Sequence, residues 1–328
     1  MNFDKLFNDF SHLKVAVIGD VMLDTYWWGK VERISPEAPV PVVTLHRKEQ
    51  RIGGAGNVAL NTTSLGAETT LFSVIGDDAD ADILMGLLQN EHIDPKYIIK
   101  SNDRVTTNKT RIISRNQQMM RLDTEITDYI SEDDEQLLFK NFTSFVKRYQ
   151  PSLVIFEDYN KGVLTENLIN KVISFCKENK IVTTVDPKRK NFFSYKGVDI
   201  FKPNLKEVKE GLNMLFDEVN ELTLKNIHNE LYQLLQHRIS LITLSEKGVY
   251  IQKGNYAKIV PSQMRNVSDV SGAGDTVIAV ASLVYAATKD IALAAEMANL
   301  AGGLVCEQVG TAAVNKEKFL CECTELFK

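Results

Sequence analysis

Seven residues late in the chain, Asp269-Val-Ser-Gly-Ala-Gly-Asp275, gather two carboxylates, a hydroxyl and two glycines into one turn ahead of an Ala-rich helical stretch through Ala287. The turn therefore opens a helix. Glycines at a helix start let the backbone approach a ligand, and the unpaired amides there offer donors and a positive dipole end to an anion. An aspartate just inside such a turn could take the proton of an attacking hydroxyl while the amides hold charge on a moving phosphoryl group. The same short pattern also fits an ordinary loop in which Asp275 caps a helix. It is neither the G-x-G-x-x-G of a dinucleotide fold nor a P-loop.

A second glycine turn, Gly53-Gly54-Ala55-Gly56-Asn57, opens the helical run Val58 to Leu65, closed by Gly66. Basic residues able to hold a phosphate are Lys109, Arg111, Arg115, Arg121, Lys161 and Lys188-Arg189-Lys190. Lys109 and Arg111 alternate and would share one face of a ribbon, while Lys161 and Lys188 fall just past the ends of core strands. Those four are the preferred candidates if a ligand carries a second phosphate, and Arg189 and Lys190 read as solvated charges.

These residues must be carried by a large core. The 328 residues are 44% hydrophobic and 25% charged, as in an ordinary globular protein. A net charge of -5, from 38 basic and 43 acidic residues, gives no field that favours nucleic acid or an anionic membrane. Phe3, Leu6, Phe7 and Phe10 mark one face of an opening helix rather than a signal peptide, and no apolar run reaches membrane-spanning length. A cytoplasmic protein is expected. Cys176, Cys306, Cys321 and Cys323 lack zinc or disulfide-framework spacing, and the five histidines (His12, His46, His92, His228, His237) are dispersed.

Apolar runs at Lys14 to Gly19, Thr70 to Gly76, Leu153 to Glu157, Ile181 to Asp186, Ile200 to Lys202 and Leu241 to Ser245 alternate with helical segments. That order predicts an α/β fold with a doubly wound, mostly parallel central sheet flanked by helices. Polar strand ends at Asp20, Asp158, Asp186, Asn204 and Ser245 should converge on one cleft. Two segments, 24–45 and 105–123, break the alternation and read as β-ribbons forming a small lid, or alternatively an extra hairpin or oligomer contact. The whole chain, 1–328, reads as one domain with that lid inserted.

The early G-G-x-[AG]-N at Gly53 to Asn57 and the late D-x-[ST]-G-A-G-D at Asp269 to Asp275 together resemble the signatures of the ribokinase-like (PfkB) carbohydrate kinases. The resemblance implies ATP and Mg²⁺ as cofactors, Asp275 as base, an anion hole from Gly272, Ala273 and Gly274, and Asp269 ordering the turn. It places Asp24, Gly53, Gly54 and Asn57 on the acceptor sugar. Nucleotide contacts would come from Asn204, Glu207, Ser245, Glu246, Gly248 and Asn299 together with Asp269, Gly272 and Gly274 of the late turn, with Glu207 reaching the metal through water. The segments Arg33 to Val42 and Arg111 to Asp123, including Gln117 and Gln118, resemble the D-glycero-β-D-manno-heptose 7-phosphate kinases, which phosphorylate the anomeric hydroxyl on the route to ADP-heptose. This implies sugar phosphate and ATP as partners, a homodimer through the lid with Trp27 and Trp28 in contact, and an adenylyltransferase on a separate protein. A kinase for another sugar, or a silent sugar-binding protein, shares the same signatures.

Overall fold

The computed structural model describes residues 2–115, 117–214 and 219–327; Asn116, within the lid motif, lies outside the described residues. The chain begins with α1 (Phe3–Phe10), β1 (Lys14–Gly19), β2 (Val21–Ile34), β3 (Pro41–Gly54), α2 (Ala55–Ser64), β4 (Glu68–Gly76), α3 (Ala79–Asn90) and β5 (Ile98–Ser101). Next come β6 (Asn108–Ser114), β7 (Gln117–Thr124), α4 (Glu132–Tyr149), β8 (Leu153–Glu157), α5 (Glu166–Glu178), β9 (Val182–Asp186), β10 (Ile200–Phe201) and α6 (Leu205–Leu212). It closes with α7 (Glu221–Leu235), β11 (Ile239–Thr243), β12 (Val249–Lys253), β13 (Tyr256–Val260), α8 (Ala273–Thr288), α9 (Ile291–Val305) and α10 (Lys316–Leu326).

A nine-stranded sheet runs β13-β12-β11-β10-β9-β8-β1-β4-β5, parallel from β11 to β5. Its central strands, such as β1 and β8, are apolar on both faces because both faces are covered. Alternate residues of β1 divide accordingly: Val15 and Val17 pack with α1, α2, α8 and α9, and Ala16 and Ile18 with α4, α5 and α7. The chain leaves β1 toward β4 and β5 and then returns to β8 on the other side, so strand order reverses between β1 and β8. Ligands of open α/β sheets bind beyond the carboxyl ends at such a point.

Two expectations shift. The last expected parallel strand lies two residues earlier, as β11, and Ser245 belongs to the tight turn after it. Beyond it the hairpin β12-β13 gives the sheet an antiparallel edge that the sequence reading had not resolved.

The ribbon segments form a separate four-stranded sheet, β3-β2-β6-β7. Its strand β3 runs through Gly54, beyond the expected limit at Leu45, and β6 begins at Asn108. The charged run His46 to Arg51 had hidden the alternation: this part of the strand lies on a solvated ribbon where β-propensity and apolar period are both weak. Consequently Gly53 and Gly54 end a strand, and α2 starts at the next residue.

One guanidinium fastens this sheet to the core. Arg104, just before β6, donates to the carbonyl oxygens of Asp128 at 2.9 Å, Ile126 at 3.3 Å and Lys161. Both ends of the β6-β7 arm and the loop after β8 thus meet at one cation. Arg104→Ala leaves those carbonyls unpaired and should lower stability by about 2 to 3 kcal/mol. Urea denaturation measures that loss, and hydrogen exchange should show faster opening of β6 and β7 than of β1 and β8.

Candidate functional site

At the start of α8, Gly272 takes φ +78° as the N-cap, and a Cβ there would also lie 2.7 Å from the Asn57 side-chain nitrogen. The tight turn leaves Gly272, Ala273 and Gly274 partly exposed while Asp275 points inward and is 2% exposed. Both oxygens of Asp275 are engaged: Asn57 Nδ2 donates to Oδ2 at 2.8 Å and the Tyr159 hydroxyl donates to Oδ1 at 2.7 Å. Burial pushes the Asp275 carboxyl up to about 6, against the lowering effect of those two hydrogen bonds. Such a value suits a proton acceptor working near neutrality. Asp269 accepts from Ser271 N at 3.0 Å and Gly310 N at 2.9 Å, which ties the turn in place.

The two glycine turns are therefore neighbours. Asn57 had been expected on sugar hydroxyls; its side chain is instead fully buried, with its amide on Asp275. Asn61, one turn further along α2, receives Thr276 Oγ1 and Val314 N, both at 3.1 Å, so α2 and α8 are locked in register.

Pairing of β1, β8 and β9 sets Gly19 beside Glu157 and Glu157 beside Asp186. Glu157, Asp186 and Asp275 each bring a carboxylate oxygen within 4.8 Å of the others. Two lysines answer this acidity: Lys202 lies 2.7 Å and Lys188 3.2 Å from Asp186. Burial opposes ionisation of Asp186, but the two ammonium groups hold it below the usual carboxylate range. Among the described residues neither Glu157 oxygen has a hydrogen-bond partner, and burial, with Asp186 and Asp275 nearby, pushes it well above that range.

Lys188 also contacts Glu207 at 2.7 Å. The other Glu207 oxygen accepts from Asn204 N at 2.7 Å, and Asn204 Oδ1 accepts from Glu207 N at 2.8 Å. This reciprocal cap starts α6, so Asn204 and Glu207 have a structural duty at the place where nucleotide and metal contacts were expected.

Across the cleft, strand register puts Asp24 level with both Arg51 and Lys109, and Tyr26 level with Arg111, on one face of the lid sheet. Asp24 is buried and pairs with Arg111 at 2.5 Å; a side chain at Gly53 would overlap its other oxygen. Lys161 pairs with Glu125 at 2.7 Å. Burial lowers the Lys109 pKa. Lys109, Arg111 and Lys161 thus form one basic group, whereas Lys188 sits with the strand-end acids. Tyr159 stands between: Lys109 lies 4.9 Å and Lys188 5.4 Å from its ring centre.

Not all polar strand ends reach this cleft. Asp20 accepts the backbone N–H groups of Tyr159, Lys161 and Val163, and Asp158 accepts from Asn160 N and the Tyr195 hydroxyl. Both carboxylates serve to fold the loop 158–163. The sequence reading missed Tyr159, Glu157 and Lys202. The D-Y-x-K-G run after a core strand was the visible signal for Tyr159, and Lys202 stood unmarked at a strand end.

On the other side of α8 opens a cavity of about 1070 Å³. Asn204, Ser245, Gly248, Gly274 and Asn299 line it, together with apolar Leu244, Val249 and Leu300. Those five candidate nucleotide residues and Glu246 therefore share one pocket, while Asp269, Gly272 and Glu207 stand outside its lining. Asn299 donates to Pro261 O at 2.8 Å, which occupies part of its amide.

Residues 12–318 match the family described as pfkB family carbohydrate kinase. The chain is 40% identical over 306 residues to the bifunctional protein HldE of Aliarcobacter butzleri, covering 93% of this chain and 63% of that protein. It is 38% identical to the protein of the same name from Geobacter sulfurreducens, covering 96% and 64%. The chain thus spans less than two thirds of these curated relatives. Both are named bifunctional, so the expectation that a second activity lies on a separate protein does not describe them. Escherichia coli phosphofructokinase-2 in complex with potassium shares the fold, with a TM-score of 0.80 at 16% identity, 96% of this chain and all of that one aligned. Arabidopsis thaliana ribokinase complexed with ribose and ATP gives 0.71 at 16% identity, over 94% and 98%. Among the described residues no helix is long and apolar enough to cross a membrane.

The glycine turn makes a pair of opposite expectations. Gly272→Ala combines a left-handed φ with a contact that would displace Asn57, and should cost about 1 to 3 kcal/mol. At Gly274 an added Cβ meets Asp186 and Lys202 no closer than 3.5 Å, so Gly274→Ala should fold with an unchanged midpoint. Thermal unfolding of the two variants checks the contrast.

Proposed function

The chain belongs to the pfkB family of carbohydrate kinases, and on that premise we propose that it transfers the γ-phosphoryl group of ATP to the anomeric O1 of D-glycero-β-D-manno-heptose 7-phosphate. The carrying observation is the convergence of both glycine turns on Asp275, a buried carboxylate perturbed toward neutrality beside partly exposed helix-start amides. The acceptor is supported by the lid sequences Arg33 to Val42 and Arg111 to Asp123, and by the basic group Lys109, Arg111 and Lys161, which suits a substrate that already carries a phosphate.

In this reading Asp24 holds sugar hydroxyls over Gly53 and Gly54, and the Lys109 group takes the 7-phosphate. Asp275 accepts the O1 proton as O1 bonds to the γ-phosphorus and the bond to the β,γ-bridging oxygen breaks, releasing ADP. Amides of Gly272, Ala273 and Gly274 hold the transferring oxygens, with Lys188 and Lys202 close by. The nucleotide base lies in the cavity between Ser245, Gly248 and Asn299. Glu207, half-buried at the edge of that site with its oxygens on the α6 cap and Lys188, fits a water-mediated contact to Mg²⁺, which when bound neutralises phosphate charge. The lid sheet closes over the acceptor and also offers a dimer face: β7 is exposed along its length, with Met119, Met120 and Leu122 45 to 55% accessible.

ADP release measured with ATP, Mg²⁺ and a panel of sugars should show heptose 7-phosphate preferred. Preference for an unphosphorylated sugar, a nucleoside or a fructose phosphate overturns the acceptor, and no turnover on any sugar points to a silent binding protein. Asp275→Asn should lose about 10² to 10⁴ in rate while folding normally. Since the base must be ionised and burial has raised it, kcat/KM should fall about tenfold per unit below about pH 6.

A further inference from the structure

Tyr159 is a group in the cleft that the phosphoryl-transfer chemistry above does not use, and it touches both sides of that cleft. Its backbone N–H donates to Asp20 at 2.8 Å, the next residue takes φ +56°, and Gly162 takes φ +90° against the backbone of Asp128. The loop is folded in one way, and it presents the phenol ring to the cleft. The hydroxyl reaches Asp275 Oδ1, and the ring carries Lys109 on the acceptor side and Lys188 on the strand-end side. Burial and the neighbouring acids Asp275 and Glu157 push the phenol well above its ordinary range, so it serves as donor throughout the working pH.

We propose that Tyr159 is a positioning residue that couples the acceptor-phosphate cations to the base: its hydroxyl fixes the Asp275 carboxylate and its ring fixes Lys109. This deepens the kinase reading and rests on it. The two halves separate chemically. A hydrogen bond to a carboxylate favours the charged form, so its loss should raise the Asp275 pKa and lower turnover. A ring beneath a half-desolvated ammonium stabilises it without touching Asp275, so loss of the ring should weaken binding of the phosphorylated acceptor.

Tyr159→Phe keeps the ring and removes the hydroxyl. Its acid limb of kcat/KM should move up by about one pH unit, so that kcat/KM falls about twofold at pH 7 and about tenfold at pH 5, with acceptor KM within about twofold of the parent. Tyr159→Leu should add a rise in acceptor KM of about three- to tenfold, with KM for ATP little changed. An unmoved acid limb in Tyr159→Phe, or equal KM values in the two variants, overturns the proposal.

A second measurement needs no turnover. Asp275 is raised above its unfolded value of 3.8, so its ionisation opposes folding as pH rises through about 6. Glu157, Asp186, Lys188 and Lys202 face the same carboxylate and would act in parent and variant alike. Removing the Tyr159 hydroxyl should therefore open a gap in Tm that grows from pH 5 to pH 8, and Asp275→Asn should abolish that growth. A gap equal at both pH values, or one whose growth persists when Tyr159→Phe is combined with Asp275→Asn, marks Tyr159 as merely structural. If the parent protein phosphorylates no heptose 7-phosphate, the acceptor reading fails, and this thermal cycle still decides the link between Tyr159 and Asp275.

Discussion

Placing a carboxylate at the buried start of a helix is the constraint on which this molecule is organised. Asp275 gains from the helix dipole but loses water, and an ionised group so placed must find donors from other parts of the chain. It finds one on α2 and one on the loop after β8. Those two donors are separated from it by 218 and 116 residues, so the site exists only when the whole sheet has closed. Asn61 extends the same requirement: by receiving Thr276 and Val314 it fixes how α2 lies on α8, and so where Asn57 can aim.

Charge balance beneath the turn follows from sheet register. Parallel pairing makes Glu157 and Asp186 unavoidable neighbours, and two ionised carboxylates side by side without water would be costly. The protein resolves this unequally. Asp186 carries Lys188 and Lys202, which favour its charged form, while burial and its acidic neighbours push Glu157 well above the usual carboxylate range. A Cβ at Gly274 would stand 3.6 Å from the Lys202 nitrogen, so the helix-start amides and a nearly inaccessible ammonium converge on one spot. An anion there would meet fixed donors and fixed charge without reorganising either, the condition under which electrostatic stabilisation is largest.

The layered α/β core was legible because buried parallel strands are short apolar runs with little else in them: the run Leu153 to Glu157 coincides with β8, and Lys14 to Gly19 with β1. Charged ribbon strands carry no such mark, which is why β3 extended past its expected end. Asp275 could be found since glycine spacing is local. Its partners could not, because whether a polar residue at a strand end faces a ligand or folds its own loop depends on contacts distant in sequence. Asp20 and Asp158 turned out to do the latter, and Tyr159 gained its place through them. Asn57 illustrates the same limit from the other side: its position was marked by the motif, but its partner was set by tertiary packing.

Core and lid make different demands on the sequence. Groups around Asp275 sit on strand ends and helix starts, where backbone geometry holds them to fractions of an ångström, as transfer of a phosphoryl group requires. The ribbon residues sit on a separate four-stranded sheet whose outer strand, β7, is exposed along its length. A kinase built this way still needs the two parts to agree on when the acceptor is seated. The loop after β8 is suited to that task because it touches both: Arg104 ties the carbonyl of Lys161 to the lid's return strand, and Asp20 ties its amides to the core. Tyr159 lies within this doubly anchored loop, with Asp275 on its hydroxyl and Lys109 over its ring.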